Sequence, residues 1–548
     1  MVSMTAVKET PSGPIAEPTS VFLCSDVVKG KSSARIVDAL ATFSDGPFDV
    51  NVHVVRKLCS SPSKLSEALK GTRTQRVVVG CRKGAEIRDE VNAIFRRAGL
   101  HGSAATVLDM MPGAGADREL VDAQLAAWIR AAAQRVSRAD LSAPIRERRA
   151  SASARYSRRN LFHPGDVARR PVASWSMDRC DCGGASSACV DACPVGALSL
   201  VGRRVSVDQD LCNGCGACVG ICGSGAMSLC GLTIEMLEAE ANSLVKDAYG
   251  LETQPGVAIV CASATVKAPI GGDWLPLEVP SLEMVGVGWL LQVIAADVSV
   301  RLIGCDDDRC GARARNIVKL CSALANEAAP GRCREARYDV EGVPACSEIK
   351  LARFSAIANQ STVAIKFSEP LATVKALSVL GSTGGIQGSD AAAISAHDEP
   401  LHPKQSRPWR IESDMSPLGE ITVDGVRCSA CGCCTSACPT GALATGETQP
   451  AGFVLTLDLA ACSACGACVT SCPESAISLL HVVDSSRLAA GRHTVVEVAG
   501  NTRCTSCGCV LAEGLATSII GDRLAASHPK LAERLLLEVK CVDCLLTT

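Results

Sequence analysis

Residues 428–439 read CSACGCCTSACP, and residues 462–473 read CSACGACVTSCP. Both stretches place cysteines at the spacing C-x-x-C-x-x-C-x-x-x-C and end in proline. Loops of this kind direct three thiolates at one cubane iron–sulfur cluster, whereas the fourth cysteine ligates the neighbouring cluster. The spacing therefore predicts two [4Fe–4S] clusters whose ligands come from both runs. The predicted ligand sets are Cys428, Cys431, Cys434 and Cys472 for one cluster and Cys462, Cys465, Cys468 and Cys438 for the other.

Zinc and unrelated buried thiols are the two other interpretations of these runs. Zinc takes its ligands around a single ion, whereas three-cysteine loops with a remote fourth cysteine fit a cubane better. The loops SACGCC, SACGAC and NGCGAC also contain the glycine and small residues that let several thiolates approach one cluster. Cys433, inside the first loop, is expected to be a spare small thiol.

The same pattern occurs earlier in the chain, within residues 176–231. One run there keeps the spacing, with Gly223 in place of the proline, and an irregular C-x-C-x6-C run precedes it. The irregular spacing distorts a cluster loop, so an altered reduction potential or loss of that cluster is an open alternative. The predicted ligand sets are Cys212, Cys215, Cys218 and Cys193 for one cluster and Cys180, Cys182, Cys189 and Cys222 for the other.

Length and composition favour a multidomain cytoplasmic protein. The chain has 548 residues and 32 cysteines, and its N-terminus has no apolar signal region. In a reducing compartment, closely spaced cysteines indicate metal ligands rather than disulfides. The longest apolar stretch, 285–304, contains polar and charged residues, which argues against a membrane span. A net charge of −2 and an aromatic content of 3% argue against nucleic-acid binding.

Two further regions, 21–136 and 255–360, alternate short apolar strands with helical segments, which predicts parallel sheets covered by helices. Three cysteines in the first region and three in the second fall at or near predicted strand ends. Ligands of open α/β sheets bind at the carboxyl ends of strands, so each set of thiols could converge. The candidate residues are Cys24, Cys59 and Cys81 in the first region and Cys261, Cys305 and Cys310 in the second.

The predicted fold class is multidomain α+β and α/β. Two ferredoxin-like dicluster units alternate with two parallel-sheet α/β domains, and a small cysteine-rich element follows. Cys504, Cys507, Cys541 and Cys544 form two C-x-x-C pairs in that element, which predict zinc or a further cluster. The predicted boundaries are a disordered leader 1–20, an α/β domain 21–136, an Arg-rich linker 137–175, unit one 176–231, an α/β domain 255–360, a linker 370–415, unit two 416–482 and the C-terminal element 490–548.

Three segments resemble known families. Residues 416–480 resemble a bacterial-type two-cluster ferredoxin through the runs quoted above. Residues 21–111 resemble the N-terminal domain of the A-type polypeptide of heterodisulfide reductase, through VFLC, LCSSPSKLSEAL and RVVVGCRKGAEIRDEVNAIFRRAGL. That resemblance implies an extra iron–sulfur cluster on Cys24, Cys59 and Cys81. The family has a second cysteine close to the first, where this chain reads SDVV, so the fourth ligand is not identified.

Residues 257–320 resemble the small iron–sulfur subunit of methyl-viologen-reducing hydrogenase, through AIVC and LIGCDDDRCGARARN. The resemblance implies a [2Fe–2S] cluster on Cys261, Cys305 and Cys310, although PSLEM (280–284) stands where another cysteine is expected. No Rossmann glycine fingerprint is present, so no flavin or nicotinamide site is expected.

These observations predict a multi-cluster iron–sulfur protein that relays electrons between redox enzymes, as a subunit of a cytoplasmic oxidoreductase complex. The expected partners are a flavoprotein, a hydrogenase, a formate dehydrogenase or a heterodisulfide-reductase-like enzyme. One alternative is a catalytic iron–sulfur reductase that uses an incompletely ligated cluster in an α/β domain. The other is a zinc-ribbon interaction module, for which the tail alone argues. The sequence predicts no catalytic residue.

Overall fold

A computed structural model gives the fold of this chain. It describes residues 3–4, 18–28, 32–42, 50–72, 74–110, 117–139, 141, 172–180, 188–202, 204–222, 224–251, 253–264, 272–305, 307–330, 333–338, 346–351, 370–383, 407–448 and 452–499, and after these only 502–503, 506–507, 510–511, 527–530 and 544.

The first sheet has five strands in the order β1-β3-β2-β4-β5. Four of them run parallel, as the alternating sequence predicted. The central strand β2 is wholly buried because helices cover the sheet. The edge strand β1 pairs antiparallel with β3 and lies inside the expected leader, which differs from the sequence prediction. The elements are β1 (Ser3–Met4), β2 (Thr19–Cys24), α1 (Ser32–Thr42), β3 (Val50–Val55), α2 (Lys64–Lys70), β4 (Arg76–Cys81), α3 (Gly84–Arg97), β5 (Ala105–Asp109) and α4 (Arg118–Ser137).

The first cysteine-rich region contains two short helices, a hairpin and a second strand pair. The hairpin β7–β8 and the pair β6–β9 are both antiparallel. A long helix, α7, follows and packs on α4; it falls between the predicted domains, where no element was expected. The elements are β6 (Ala173–Trp175), α5 (Ala188–Asp191), β7 (Leu198–Val201), β8 (Arg204–Val207), α6 (Ala217–Gly220), β9 (Met227–Leu229) and α7 (Ile234–Gly250).

The second sheet is mixed, in the order β11-β10-β12-β14-β13. Strands β10, β11 and β12 are parallel, whereas β14 pairs antiparallel with both β12 and β13. The prediction of a parallel sheet therefore holds for the half that bears the candidate cysteines. The elements are β10 (Gly256–Cys261), β11 (Trp274–Val279), α8 (Val287–Ala295), β12 (Val300–Ile303), α9 (Asp308–Ala328), β13 (Cys333–Tyr338), β14 (Cys346–Leu351) and α10 (Pro370–Thr383).

Helix α10 corrects the prediction of a linker over 370–415. It packs on α8 and buries Thr373, Ala376, Leu377 and Leu380. The Gly/Ser/Ala-rich composition of the region masked this face, because small residues suit both linkers and close helix packing.

The second cysteine-rich region repeats the arrangement of the first, with a hairpin between two cysteine loops. Strand β20 adds to this hairpin, in the order β17-β18-β20, although it lies beyond the expected end of the unit at 482. The elements are β15 (Arg410–Glu412), β16 (Gly419–Val423), α11 (Cys433–Ser436), β17 (Leu443–Thr448), β18 (Gly452–Asp458), α12 (Ala467–Thr470), β19 (Ile477–Asp484), α13 (Ser485–Ala490), β20 (Arg492–Ala499), β21 (Thr502–Arg503) and β22 (Val510–Leu511).

One hydrophobic core extends through both sheets and the first cysteine-rich region. Charged contacts join the same parts. Arg130 of α4 donates to Asp247 of α7 at 2.6 Å, and both side chains are nearly buried. Arg88 of α3 makes a two-pronged ion pair with Glu278 of β11, with Nη2 2.9 Å from Oε2. The sheets are therefore packed together rather than only tethered.

A search of the described part of the chain found no helix with the length and hydrophobicity that a membrane crossing requires.

Candidate metal centres

Three cysteine loops adopt the same backbone conformation. In each, the residue before the second cysteine has positive φ: 70° at Gly214, 54° at Ala430 and 51° at Ala464. The residue after the second cysteine is a glycine with φ between 71° and 76°, which then begins a one-turn helix. Glycine adopts this backbone without strain because it has no Cβ, so the glycines let all three cysteines face one side.

Each of these loops lines a cavity together with a cysteine from the other run of its pair. Two cavities of ≈ 340 and ≈ 330 Å³ lie in the second region, and one of ≈ 290 Å³ lies in the first. Apolar side chains such as Leu455, Leu457 and Leu198 complete their walls. The cysteines are Cys428, Cys431, Cys434 and Cys472 in one cavity, Cys462, Cys465, Cys468 and Cys438 in another, and Cys212, Cys215, Cys218 and Cys193 in the third.

The other predicted set of the first region is only partly described. Cys182 lies outside the described residues. Cys180, Cys189 and Cys222 are half-buried, and Cys222 accepts a hydrogen bond from Met227 N at 3.5 Å. The charge of Cys189 acts on Cys218, so this residue lies beside the well-formed cavity.

Backbone N–H groups point at the sulfurs of these cavities. Ala197 N donates to Cys193 Sγ at 3.2 Å, and Ala476 N donates to Cys472 Sγ at 3.3 Å. Such donors stabilise negative sulfur. Burial acts in the opposite direction, raising the pKa of Cys434 and Cys462 to about 11. Burial likewise raises the pKa of Cys218 and Cys468 to about 12. The metal-free thiols therefore hold their protons at neutral pH.

The first sheet brings Cys24, Cys59 and Cys81 together. Cys24 and Cys81 end the neighbouring parallel strands β2 and β4, and Cys59 follows β3. Their Sγ atoms all lie within 4.8 Å of one another. Cys59 Sγ also donates to Asp26 Oδ2 at 2.9 Å.

These contacts set the thiol pKa values. The hydrogen bond from Cys81 lowers the pKa of Cys24 to about 5, and the bond from Cys59 to the Asp26 carboxylate raises the pKa of Cys59 to about 11. The Cys24 thiol is thus the one that loses its proton first.

The second sheet brings Cys261, Cys305 and Cys310 together in the same way, with Sγ atoms within 4.8 Å of one another. Cys261 ends β10, and Cys310 lies in the first turn of α9, where the helix dipole favours a thiolate. The hydrogen bond from Cys261, at 4.0 Å between sulfurs, lowers the pKa of Cys310 to about 5. Ser281 Oγ lies 3.3 Å from Cys310 Sγ.

A short 3₁₀ turn, Leu282–Met284, joins this pocket to the cluster loop of the first region. Ser281 precedes the turn and contacts Cys310. At the other end Met284 packs against the loop: a Cβ on Gly216 would lie 2.7 Å from Met284 Cβ, and one on Gly220 would lie 2.4 Å from the Met284 carbonyl oxygen. The charge of Glu283 acts on Cys215. No sequence pattern indicated this contact, because the two segments are far apart along the chain.

The remaining candidate cysteines do not line these sites. Cys433 is exposed and contacts Cys431 from outside the cavity. Cys321 is buried in α9 and donates to Val287 O at 3.5 Å. In the tail, Cys504 and Cys541 lie outside the described residues, whereas Cys507 is exposed and Cys544 is half-buried.

A family model of the 4Fe-4S binding domain matches residues 205–228 and 455–478. Each matched segment contains one of the three-cysteine loops and the cysteine that follows it. No curated protein matches the chain. The matched domains and the cysteine clusters together indicate [4Fe–4S] binding and iron–sulfur electron transfer.

Proposed function

We propose that this protein is a multi-cluster electron-transfer subunit of an oxidoreductase, with dicluster units at 176–231 and 416–482. The observation that supports this most directly is the pairing of cysteines across the two runs of the second region. Each cavity there is lined by three cysteines of one loop and one from the other run, as two cubanes side by side require.

The cavities fit the clusters chemically. Their apolar walls exclude water, their thiols converge, and backbone N–H groups face the sulfurs. A bound [4Fe–4S] cluster supplies one-electron oxidation and reduction. The protein's own residues hold the cluster, limit its contact with solvent and, through the N–H donors, stabilise negative charge on the sulfurs.

The spatial order of the sites supports a relay. Cys468 lies close enough to Cys434 for their charges to interact, so the two cavities of the second region are neighbours. In the first region, the turn Leu282–Met284 lies between the loop of Cys215 and the pocket of Cys310. We propose that this pocket and the pocket of Cys24 hold further clusters, as the resemblances to hydrogenase and heterodisulfide reductase components imply. The proposed partners are redox enzymes of those classes.

A catalytic reductase is the second candidate. Each of the two sheet pockets provides three thiols and one oxygen-bearing side chain, Asp26 or Ser281. A cluster with one weak ligand leaves a position for a substrate. Turnover of a disulfide by the purified protein with a chemical electron donor would favour this function over a relay.

Anaerobic purification followed by iron and sulfide analysis and EPR tests the proposal. Four cubane clusters in the two dicluster units give about 16 iron atoms and about 16 sulfides per chain. Zinc near one equivalent with only trace iron would instead favour the zinc-ribbon interaction module, which the tail cysteines predict.

A further inference from the structure

The pocket of Cys24, Cys59 and Cys81 contains a fourth group that can bind a metal. Asp26 follows Cys24 by two residues, and its Oδ2 lies 2.9 Å from Cys59 Sγ. The three sulfurs lie within 4.8 Å of one another, so the carboxylate extends a compact donor set of three sulfurs to four donors.

The backbone around Asp26 holds it in this place. Ser25 N donates to Val55 O at 2.9 Å, and Ser25 Oγ accepts from Lys57 N at 3.0 Å. Val27 N donates to Cys24 O at 2.9 Å and closes a tight turn. Both flanks of Asp26 are thus tied to the ends of β2 and β3. The contact that the structure gives the carboxylate itself is with the Cys59 thiol.

Charge balance favours a metal in this arrangement. Three thiolates and a carboxylate carry four negative charges when deprotonated, which protons or a cation must compensate. Lys83 acts on Cys59 and Cys81, but it is exposed and pairs with Glu86 at 2.9 Å. Without a metal, the Cys59 proton lies between sulfur and carboxylate, and metal binding replaces that proton and releases it to solvent.

We propose that Asp26 is the fourth ligand of a metal centre held by Cys24, Cys59 and Cys81. Three thiolates and one carboxylate suit both an iron–sulfur cluster and a single zinc ion. Metal analysis distinguishes the two. The proposal rests on the proposed function only in treating this pocket as a metal site.

The test uses the full chain, purified without oxygen, as the wild type and three variants. Asp26→Asn keeps the shape of the side chain and removes its charge. Asp26→Cys supplies a thiolate instead, and Glu67→Gln makes the same chemical change on the exposed face of α2. Iron, sulfide and zinc are quantified for each, and alkylation of Cys59 by iodoacetamide is followed by peptide mass spectrometry.

The expected result is that wild type and Glu67→Gln protect Cys59 equally. Asp26→Asn should raise the Cys59 alkylation rate at least roughly tenfold, as expected when a ligand contact is lost, and should lose the metal of this centre. Asp26→Cys should keep the metal and change its spectrum, read by EPR for iron or by cobalt(II) substitution for zinc. Loss of iron together with sulfide identifies a cluster, and loss of zinc alone identifies a single ion.

Two results would overturn the proposal. One is full metal content and unchanged Cys59 protection in Asp26→Asn. The other is a wild-type Cys59 that reacts as fast as the exposed Cys433. Alkylation of Cys434 and Cys468 in the same digest reports separately on the dicluster unit, so failure of the proposed function is distinguishable. Comparing the thermal unfolding of Asp26→Asn with that of Glu67→Gln excludes general misfolding as the cause.

Discussion

Met284 packs against Gly216 so closely that a Cβ atom on the glycine would lie 2.7 Å from Met284 Cβ. This contact joins a cluster loop of the first cysteine-rich region to the turn beside Cys310. Two candidate sites that are far apart in sequence therefore share one wall, and the glycines of the loop make the approach possible.

Gly220→Ala should disturb this wall. The new Cβ would lie 2.4 Å from the Met284 carbonyl oxygen, which is backbone and cannot rotate away. We expect a loss of about 1–3 kcal/mol in stability, as for overpacked cores, and faster release of iron to a chelator. Thermal unfolding and chelation kinetics measure these effects.

Gly71→Ala is the matched control, because its Cβ would meet only Ala68 O at 3.7 Å. It should change stability by no more than about 0.5 kcal/mol. Equal effects of the two substitutions would contradict the close contact.

Cys434→Ala should remove one cluster of the second region. Cys434 lines the cavity with Cys428, Cys431 and Cys472, so its loss leaves three ligands for that cluster. We expect iron to fall by about 4 atoms per chain, one cubane, while the EPR signals of the first region persist.

Cys433→Ala, one residue away, should leave iron content unchanged, because Cys433 is exposed and lies outside the cavity. If iron fell equally in both variants, or if the signals of the first region also disappeared, the assignment of ligands would be wrong.

Cluster retention should fall as pH falls. Burial raises the pKa of Cys434 and Cys462 to about 11 and of Cys218 and Cys468 to about 12 in the metal-free state. These thiols are protonated at neutral pH, so cluster binding releases their protons and acid favours the empty site. Each released proton weakens binding by about 1.4 kcal/mol per pH unit of acidification.

Visible absorbance in the presence of an iron chelator, measured from roughly pH 6 to 9, tests this dependence. We expect retention to rise with pH throughout this range. A retention curve that is flat, or that falls with pH, would contradict the account of the thiols.

Arg88→Ala should destabilise the packing of the two sheets. Arg88 and Glu278 are each mostly buried, with side-chain exposures of 28% and 27%, so removing Arg88 leaves a partly buried carboxylate unpaired. We expect a loss of about 2–3 kcal/mol, typical of charged hydrogen bonds, measured as a lower urea midpoint.

Lys83→Ala removes another ion pair at the start of the same helix, with exposures of 55% and 66%. Solvent screens a pair this exposed, so its loss should leave the urea midpoint close to that of the wild type. Similar shifts for Lys83→Ala and Arg88→Ala would show that Arg88 does not join the sheets.

Local structure could be predicted well from the sequence where a period or a motif was strong. Strands β2 to β5 and helices α1 to α4 lie where the alternating apolar runs placed them. Cys24 and Cys81 meet because parallel neighbouring strands end at one edge, a consequence of topology that strand prediction already contains.

Long-range partners could not be predicted in this way. Helix α10 became recognisable only through the α8 surface that it covers, and the antiparallel pairing of β14 depends on a return path that no local pattern encodes. Asp26 was quoted only as part of SDVV, since nothing in the sequence places its carboxylate beside Cys59.

Iron and acid-labile sulfide per chain, measured on protein purified without oxygen, test the central claim most directly. We predict a brown protein with about 16 atoms of each in the two dicluster units, and more if the sheet pockets also hold clusters. A folded, colourless protein with only trace iron and sulfide would contradict the account.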